Sequence, residues 1–267
     1  MLPNVLMGCS VTKRIKQVKQ PRGGYINPKT LMTRSLGDGM DTLNTDENVH
    51  VSLVGMAVDY LTRIETGTDA KDAFKVSLYG ATIAGELDKA LGLLEGVDGL
   101  GDNSIIRAVK LTGYDVCFRA SMLYYRSVDD IEPDRNTVEN VRTMVLRSKR
   151  FFDEYGPKVL DGFTFKGGYT NVVTSGDGDF TTEDTLWDFK VSKLPYKKEH
   201  TLQLLMYWRM GLHSVHPEFQ KIKYLGIFNS RLNTVSRIAV KDIQVEVIQK
   251  VEAEVIGYSN KQLHYSS

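Results

Sequence analysis

The chain has 267 residues and a mass of 30.0 kDa, with 42% hydrophobic and 25% charged residues, values typical of a globular protein of one large or two small domains. Its 34 lysines and arginines nearly balance 33 aspartates and glutamates, so any surface that binds phosphates must be local. Cys9 and Cys117 are too few for a four-cysteine zinc or iron–sulfur site.

Targeting and motor signals are also lacking. The first residues have neither the charged segment nor the long apolar run of a signal peptide, and no stretch approaches the roughly 18 apolar residues of a membrane span. No G-x-x-x-x-G-K-[ST] pattern occurs, which argues against a P-loop ATPase. We therefore expect a cytoplasmic protein with no membrane partner.

Residues 10–19 predict a short amphipathic helix that stops before Pro21. One face is apolar and the other is basic. The basic face either is solvated or contacts phosphates, and it carries Lys13, Arg14 and Lys16.

A strong helical pattern covers 47–66, where apolar residues recur at spacings of three and four. Asp59 and Arg63 stand four apart on it, so they either form an ion pair within the helix or face a site. Residues 68–126 also look mainly helical, and a third strong helix is predicted over 137–155.

The pattern changes after Pro157, where strand and helix signals alternate. Strands are predicted at 162–166, 170–175, 222–228 and 233–240, a hairpin lies within 177–190, and helices are predicted at 199–213 and 241–257. The order from 137 onward, α-β-β-β-α-β-β-α, predicts a mixed central sheet flanked by helices, an α+β fold. We accordingly divide the chain into a mainly helical region at 1–135 and a sheet-containing region at 136–267.

The hairpin places four polar residues on one face. If its turn centres on residues 183–184, the numbers of paired residues sum to 367, which sets Asp179 opposite Asp188 and Asp177 opposite Lys190. Because side chains alternate along a strand, the other face receives Phe180, Trp187 and Phe189.

Two carboxylates facing each other across a strand pair repel unless a cation lies between them. Carboxylate oxygens are the ligands of hard ions such as Mg²⁺ and Mn²⁺. The hairpin therefore predicts a metal site at Asp179 and Asp188, with Lys190 beside it and Asp177 as a further candidate. The alternative for each residue taken singly is a solvated hairpin with scattered charges.

These residues, the order of elements and a Q-x-x-x-Y pattern at Gln203 and Tyr207 resemble the PD-(D/E)XK nuclease superfamily, most closely its RecB-like exonuclease branch. The match covers roughly 160–230. The resemblance implies a restriction-endonuclease-like fold in which one or two Mg²⁺ or Mn²⁺ ions are held by Asp179, Asp188 and the carbonyl of Phe189. It also implies that Lys190 orients or activates the attacking water.

The resemblance extends to residues around this centre. It implies that Gln203 and Tyr207 steady the site and the nucleic acid backbone, with His200 one turn earlier; alternatively Tyr207 packs in the core and Gln203 bonds a strand. It makes 47–66 part of the nuclease core and Asp59 a further metal ligand. Residues expected to contact nucleic acid are Lys13, Arg14, Lys16, Arg63, Lys193 and His200.

Two functions of different class follow. The first is a metal-dependent nuclease acting on DNA, with RNA as the other substrate, in bacterial or phage DNA processing or defence. The second is an inactive nuclease fold that binds nucleic acid or a protein partner. The chain lacks the cluster cysteines of the CRISPR-adaptation nucleases of this branch, so processing of DNA ends does not follow from the resemblance.

Overall fold

The computed structural model describes residues 8–37 and 42–258. Its α-helices are α1 (Val11–Gln17), α2 (Val51–Glu65), α3 (Ala70–Ala73), α4 (Lys75–Ala84), α5 (Leu87–Leu94), α6 (Asp102–Thr112), α7 (Asp115–Arg119), α8 (Arg135–Tyr155), α9 (Lys198–Leu212) and α10 (Val245–Lys250), which continues as a π-helix over Val251–Ile256. Its strands are β1 (Cys9–Ser10), β2 (Met32–Ser35), β3 (Leu160–Thr164), β4 (Val173–Ser175), β5 (Asp177–Thr181), β6 (Thr185–Lys190), β7 (Tyr224–Asn229) and β8 (Thr234–Ala239).

Six strands form one mixed sheet in the order β2-β8-β7-β6-β5-β3. Strands β6 and β7 run parallel, with α9 as their crossover, and the other neighbours are antiparallel. The predicted mixed sheet flanked by helices is confirmed at the level of an α+β fold. Strand β4 does not enter this sheet; it pairs with β1 in a separate two-stranded sheet.

Aromatic rings fill the space between α8 and one face of the sheet. The Phe151 ring of α8 stacks on Phe228 with centroids 4.1 Å apart and meets Trp187 edge-on at 4.8 Å. Gly226, on the neighbouring strand, leaves room for the Trp187 ring, since a Cβ at this position would lie 2.4 Å from it. This packing fixes which face of β6 points toward α8.

Helix α9 covers the opposite face. It is buried on nearly all sides, and Leu202, Leu205 and Met206 pack with Leu186 and Leu225 of the two central strands. Helix α1 packs against α9 through Val11 and Ile15, as its predicted apolar face requires.

Helices α2 to α8 build a second core, in which α2 packs against α6 and α8. The predicted helices at 47–66 and 137–155 are present with shifted ends, and the segment between them is mostly helical. The division of the chain at residue 135 stays a prediction. Helix α1 and strand β2 come before residue 135 but contact the sheet region. Helix α8 packs against both the sheet and the other helices. None of the helices within 8–37 and 42–258 is long and apolar enough to cross a membrane.

Candidate active site

The β5–β6 hairpin has the predicted register. Phe180 pairs with Trp187 and Thr181 with Leu186, and both sums are 367. The turn is closed by the Thr182 amide, which donates to the Thr185 carbonyl at 3.0 Å, and by the Trp187 indole, which donates to Thr182 Oγ1 at 3.0 Å. The alternation therefore places Asp179 and Asp188 together on the face that α9 covers.

Asp188 is the more buried of the two carboxylates, with 2% of its surface exposed. Its Oδ1 accepts a hydrogen bond from Lys190 Nζ at 2.9 Å. Its Oδ2 is also buried and has no hydrogen-bond partner among the described residues. A buried carboxylate oxygen without a partner is costly, which makes this atom a candidate ligand for a cation.

Asp179 is partly buried, and its Oδ2 accepts a hydrogen bond from the Phe189 amide at 2.7 Å. Burial, together with repulsion from Asp188 and then Asp59, raises the pKa of the Asp179 carboxyl to about 7, against the opposing effects of Lys190 and the Phe189 amide. Burial is the larger cause, and the charge of Asp188 comes second, as expected for two carboxylates on one face of the hairpin.

Two cationic or titratable groups lie beside this pair. Burial works to lower the pKa of the Lys190 ammonium, but the charges of Asp188 and Asp179 outweigh it, so the pKa is raised. Burial and the nearby Lys190 lower the pKa of His200, whose Nδ1 accepts from the Lys197 amide at 3.1 Å. At neutral pH the site therefore holds a protonated Lys190 and a neutral imidazole.

Asp59 reaches the site from α2, and both interpretations of it have support. It pairs with Arg63 at 3.3 Å, one turn away on the same helix. It also raises the pKa of Asp179 and lines the same cavities as Asp179. The pKa of Asp59 itself is raised, mainly by burial. Its carboxylate is thus near the hairpin but already neutralised by an arginine.

Arg63 also contacts β3, a strand that the sequence patterns did not connect to the site. Its Nε lies 3.9 Å from Asp161 Oδ1, and Asp161 pairs with Lys158 at 3.0 Å. Gly162 provides the space, since a Cβ there would lie 3.0 Å from an Arg63 nitrogen, and its φ of 58° suits glycine. Asp161 was missed because the predicted strand began at residue 162, two residues after the start of β3, and Lys158 lies before the strand.

Gln203 and Tyr207 lie on the face of α9 that meets the hairpin. Gln203 Nε2 donates to Tyr207 Oη at 3.0 Å, and the Tyr207 ring packs 4.7 Å from Phe165 in the core. Burial raises the pKa of Tyr207, with Asp179 and Asp188 adding to the effect. The core-packing alternative thus describes the Tyr207 ring, whereas the Tyr207 hydroxyl is bonded by Gln203, which does not bond a strand as the alternative expected.

The remaining predicted contacts are spread more widely. Arg14 donates to the carbonyls of Val255 and Glu254 at 2.9 and 2.7 Å, so its guanidinium is engaged at the C-terminal helix. The other predicted basic residues and the further metal candidate are exposed at the surface: Lys13, Lys16, Lys193 and Asp177.

Three cavities bear on where a ligand could lie. One of 10 Å³ lies among Asp59, Asp161 and Asp179, and an open groove of 730 Å³ runs from Asp59, Asp179 and Lys190 along α2. A larger cavity of 1070 Å³ is lined mainly by residues within 24–34 and 235–247, and no residue predicted for the site lines it. We place the site at the hairpin, because the unpartnered carboxylate oxygen and the displaced pKa of Asp179 are both there.

Within the described ranges, no group of three or more His, Cys, Asp or Glu side chains is arranged to hold a metal ion. The candidate donors are therefore two carboxylates and a backbone carbonyl: Asp179, Asp188 and Phe189. Mg²⁺ is commonly bound by one or two carboxylates, with water and substrate oxygens completing its coordination shell. These donors are therefore of the type and number that a Mg²⁺ site requires from the protein.

Comparisons of the chain with protein-family models, with curated proteins and with solved structures give no match.

Proposed function

We propose that the protein is a nuclease that uses Mg²⁺ or Mn²⁺ to hydrolyse phosphodiester bonds of DNA. The observation that carries the proposal is Asp188, a buried carboxylate with one oxygen bonded to Lys190 and the other without a partner, beside the raised-pKa carboxyl of Asp179. The resemblance of the hairpin, Gln203 and Tyr207 to RecB-like nucleases supports the same conclusion.

The residues fit a hard divalent cation. Asp188 Oδ2 has no hydrogen-bond partner among the described residues, and Asp179 repels Asp188. A positive charge between the two carboxylates would reduce the free-energy cost of burying them together. Asp179, Asp188 and the Phe189 carbonyl would hold the ion. When bound, such an ion lowers the pKa of water and neutralises charge on a phosphate.

The chain's own groups then supply positioning and charge. Lys190 keeps its proton at Nζ, because Asp188 and Asp179 raise its pKa, so it stabilises negative charge on the phosphate instead of abstracting a proton. The neutral His200 can offer one hydrogen bond without adding charge. Gln203 holds the Tyr207 hydroxyl by a hydrogen bond, on the helix that covers the face of the sheet carrying the acids.

The second candidate is a nuclease fold that binds nucleic acid or a protein without cleaving. One observation favours it: Arg63 neutralises Asp59 and Lys190 neutralises Asp188, so two of the acids already have a protein partner. Against it stands the orphaned oxygen of Asp188, since a binding scaffold gains nothing from a buried unpartnered carboxylate oxygen.

Cleavage of linear and circular DNA, single-stranded DNA and RNA in Mg²⁺, Mn²⁺ or EDTA tests the proposal. We expect cleavage that EDTA abolishes. Lys190→Ala should lower the rate about 100-fold or more while Mn²⁺ still binds, since one charge-stabilising donor contributes on that scale. Asp188→Asn should lose metal affinity and activity together, because an amide is a poorer ligand for a hard cation.

Matched controls are Lys221→Ala and Asp72→Asn, which remove the same charges at exposed positions that do not line the cavities beside the acids and should leave the rate unchanged. A wild-type protein that cleaves none of these substrates and binds no metal would contradict the proposal and leave the binding fold.

A further inference from the structure

The cavity of 1070 Å³ at the β2 edge of the sheet plays no part in the proposed function. We call it the β2–β8 cavity, since residues of both strands line it. Its volume lies at the upper end of sites that enclose small molecules, roughly 300–1,000 Å³. Three basic and two acidic residues line it, so its lining carries a net positive charge: Arg34, Arg237, Lys241, Glu154 and Asp242.

The strand register places Arg237 on the opposite face of the sheet from the acids. Trp187, Gly226 and Arg237 are direct neighbours on β6, β7 and β8. Side chains paired in this way share a face, and the Trp187 ring packs against α8. Asp188 follows Trp187 and therefore lies on the other face, which α9 covers. A ligand at Arg237 would thus be separate from one at the hairpin.

Two tyrosine rings position the Arg237 guanidinium. Its central carbon lies 4.6 Å from the Tyr224 ring centroid and 5.1 Å from the Tyr155 ring centroid, within the range of cation–π attraction. The rings attract the charge, but the N–H donors of the guanidinium need oxygen acceptors. Among the residues that the structure describes, no carboxylate pairs with this guanidinium and no oxygen accepts from it.

The other arginine of the cavity is neutralised by the protein. Arg34 forms an ion pair with Glu154 and donates to Tyr155 Oη at 2.7 Å. Both arginines lie over the Tyr155 ring, so their aromatic contacts are alike and their carboxylate contacts are not. Because Glu154 is bonded to Arg34, the charge of Arg237 is left for an anion from outside the protein.

One wall of the cavity, the segment 24–30, is held by side-chain hydrogen bonds. Thr201 Oγ1 on α9 donates to the Ile26 carbonyl at 2.7 Å, and Tyr196 Oη donates to the Pro28 carbonyl at 3.1 Å. These bonds fix the wall without a ligand. A wall that is already formed lowers the entropy cost of binding.

The chemistry of the lining indicates the class of ligand. A positioned guanidinium matches the oxygens of a carboxylate or a phosphate, with which it forms two parallel hydrogen bonds. Apolar side chains also line the cavity and would contact an apolar group attached to that anion: Ile26, Ile238 and Val247.

We propose that the β2–β8 cavity binds a small organic anion, with its carboxylate or phosphate held by Arg237 and its apolar part inside the cavity. The site is separate from the proposed nuclease centre, so either proposal can fail without the other.

Isothermal titration calorimetry of the full chain with phenyl phosphate, benzoate and benzyl alcohol tests the cavity. All three probes carry the same apolar ring, so the difference between the anions and the alcohol reports the charge. EDTA in the buffer keeps the anions from binding a metal ion at the hairpin. We expect at least one anion to bind with a Kd of about 1 mM or below, and the alcohol at least about tenfold more weakly. The anion that binds more tightly identifies the acidic group of the ligand.

Arg237→Gln should weaken binding of that anion about tenfold or more, because it removes the charge and the paired donors. Arg237→Lys keeps the charge but loses the planar fork, so it should weaken binding about threefold. The matched control is Arg126→Gln, since Arg126 is exposed and does not line the cavity. It should leave the affinity unchanged.

A wild-type protein that binds neither anion saturably would overturn the inference, as would equal affinities of Arg237→Gln and Arg126→Gln. If Arg237→Gln does not fold, Arg237→Lys decides, and an unchanged affinity in that variant would overturn the role of Arg237. DNA affinity should be the same in Arg237→Gln and the wild-type protein. Loss of DNA affinity with anion binding intact would assign Arg237 to a nucleic-acid surface and overturn the proposed ligand.

Discussion

Two buried aspartates in different regions of the molecule are treated in opposite ways. Asp115, in the helical region, is fully buried, and its oxygens accept from Tyr60 Oη at 2.6 Å, Ser77 Oγ at 2.5 Å and Arg119 Nε at 3.1 Å. Asp188, in the hairpin, is almost as buried but bonds only Lys190 and keeps one oxygen without a partner in the part of the chain that the structure describes. Burial alone therefore does not identify a functional carboxylate; the hydrogen bonds left unmade do.

The largest expected effect is a difference in stability between the variants of these two aspartates. Asp115→Asn should destabilise the protein by about 3 kcal/mol, because it breaks a buried charge cluster and sets an amide donor against Tyr60 and Arg119. Asp188→Asn should change stability by less than about 1 kcal/mol in EDTA, since loss of the Lys190 pair is offset by relief of repulsion with Asp179. Urea unfolding of both variants measures this. Equal destabilisation would mean that Asp188 is a structural residue like Asp115.

A change of pH should alter the free energy of unfolding through Asp179 by on the order of 2 kcal/mol. The Asp179 carboxyl has a pKa of about 7 in the folded chain and near 4 when unfolded, so it binds a proton more tightly when folded. Its cost to folding is therefore absent below about pH 4, grows as pH rises, and is complete above about pH 7. Because Asp179 is only partly buried, solvent screens its charge and keeps this cost below the free energy that the full pKa difference corresponds to.

Thermal unfolding in EDTA of the wild-type protein and Asp179→Asn, followed from pH 4 to pH 8, isolates this contribution. The stability of the wild-type protein relative to the variant should fall across that range, and Mg²⁺ should restore it at high pH. A difference that does not vary with pH would show that Asp179 is an ordinary solvated carboxylate.

The smallest expected effect concerns which region meets DNA. Val11, on the apolar face of α1, lies against Gly176 directly before β5, so α1 is next to the hairpin while its basic residues Lys13 and Lys16 are exposed. If Lys13 and Lys16 contact phosphates, replacing both by alanine should reduce the slope of log affinity against log salt by about 2. The control is Lys71→Ala with Lys75→Ala, an equally exposed pair in the helical region. Equal slopes for both double variants would assign the α1 lysines to a solvated face.

The hairpin was predictable because its signals are local. A turn at 183–184 and alternation over ten residues suffice to pair Phe180 with Trp187 and to bring Asp179 and Asp188 to one face. The mixed sheet was predictable for a similar reason, since the apolar run of β7 and the helix before it indicate a central strand with a crossover.

Other features depend on partners far away in the chain. Every residue of β2 is exposed, so the sequence shows no alternation of buried and exposed positions there. Only the pairing of β2 with β8 makes it a strand. The position of Arg63 between Asp59 and Asp161 requires α2 and β3 to pack together, and no pattern within either element encodes that contact. The orphaned oxygen of Asp188 is likewise a property of the packed molecule.

The strand order has a consequence for how the molecule is made. Met32 pairs with Arg237 at one edge of the sheet, and Arg14 bonds the carbonyls of Val255 and Glu254, which are 241 and 240 residues further along the chain. These contacts form only after the later segments have been synthesised. Such distant contacts slow folding, because the loop between them must close first. A nascent chain holding Asp59 and both hairpin aspartates still lacks β7, β8 and the turn that fixes Lys190. On the ribosome, the acids of the site are thus translated before β7 and β8, the strands that complete the sheet beside them.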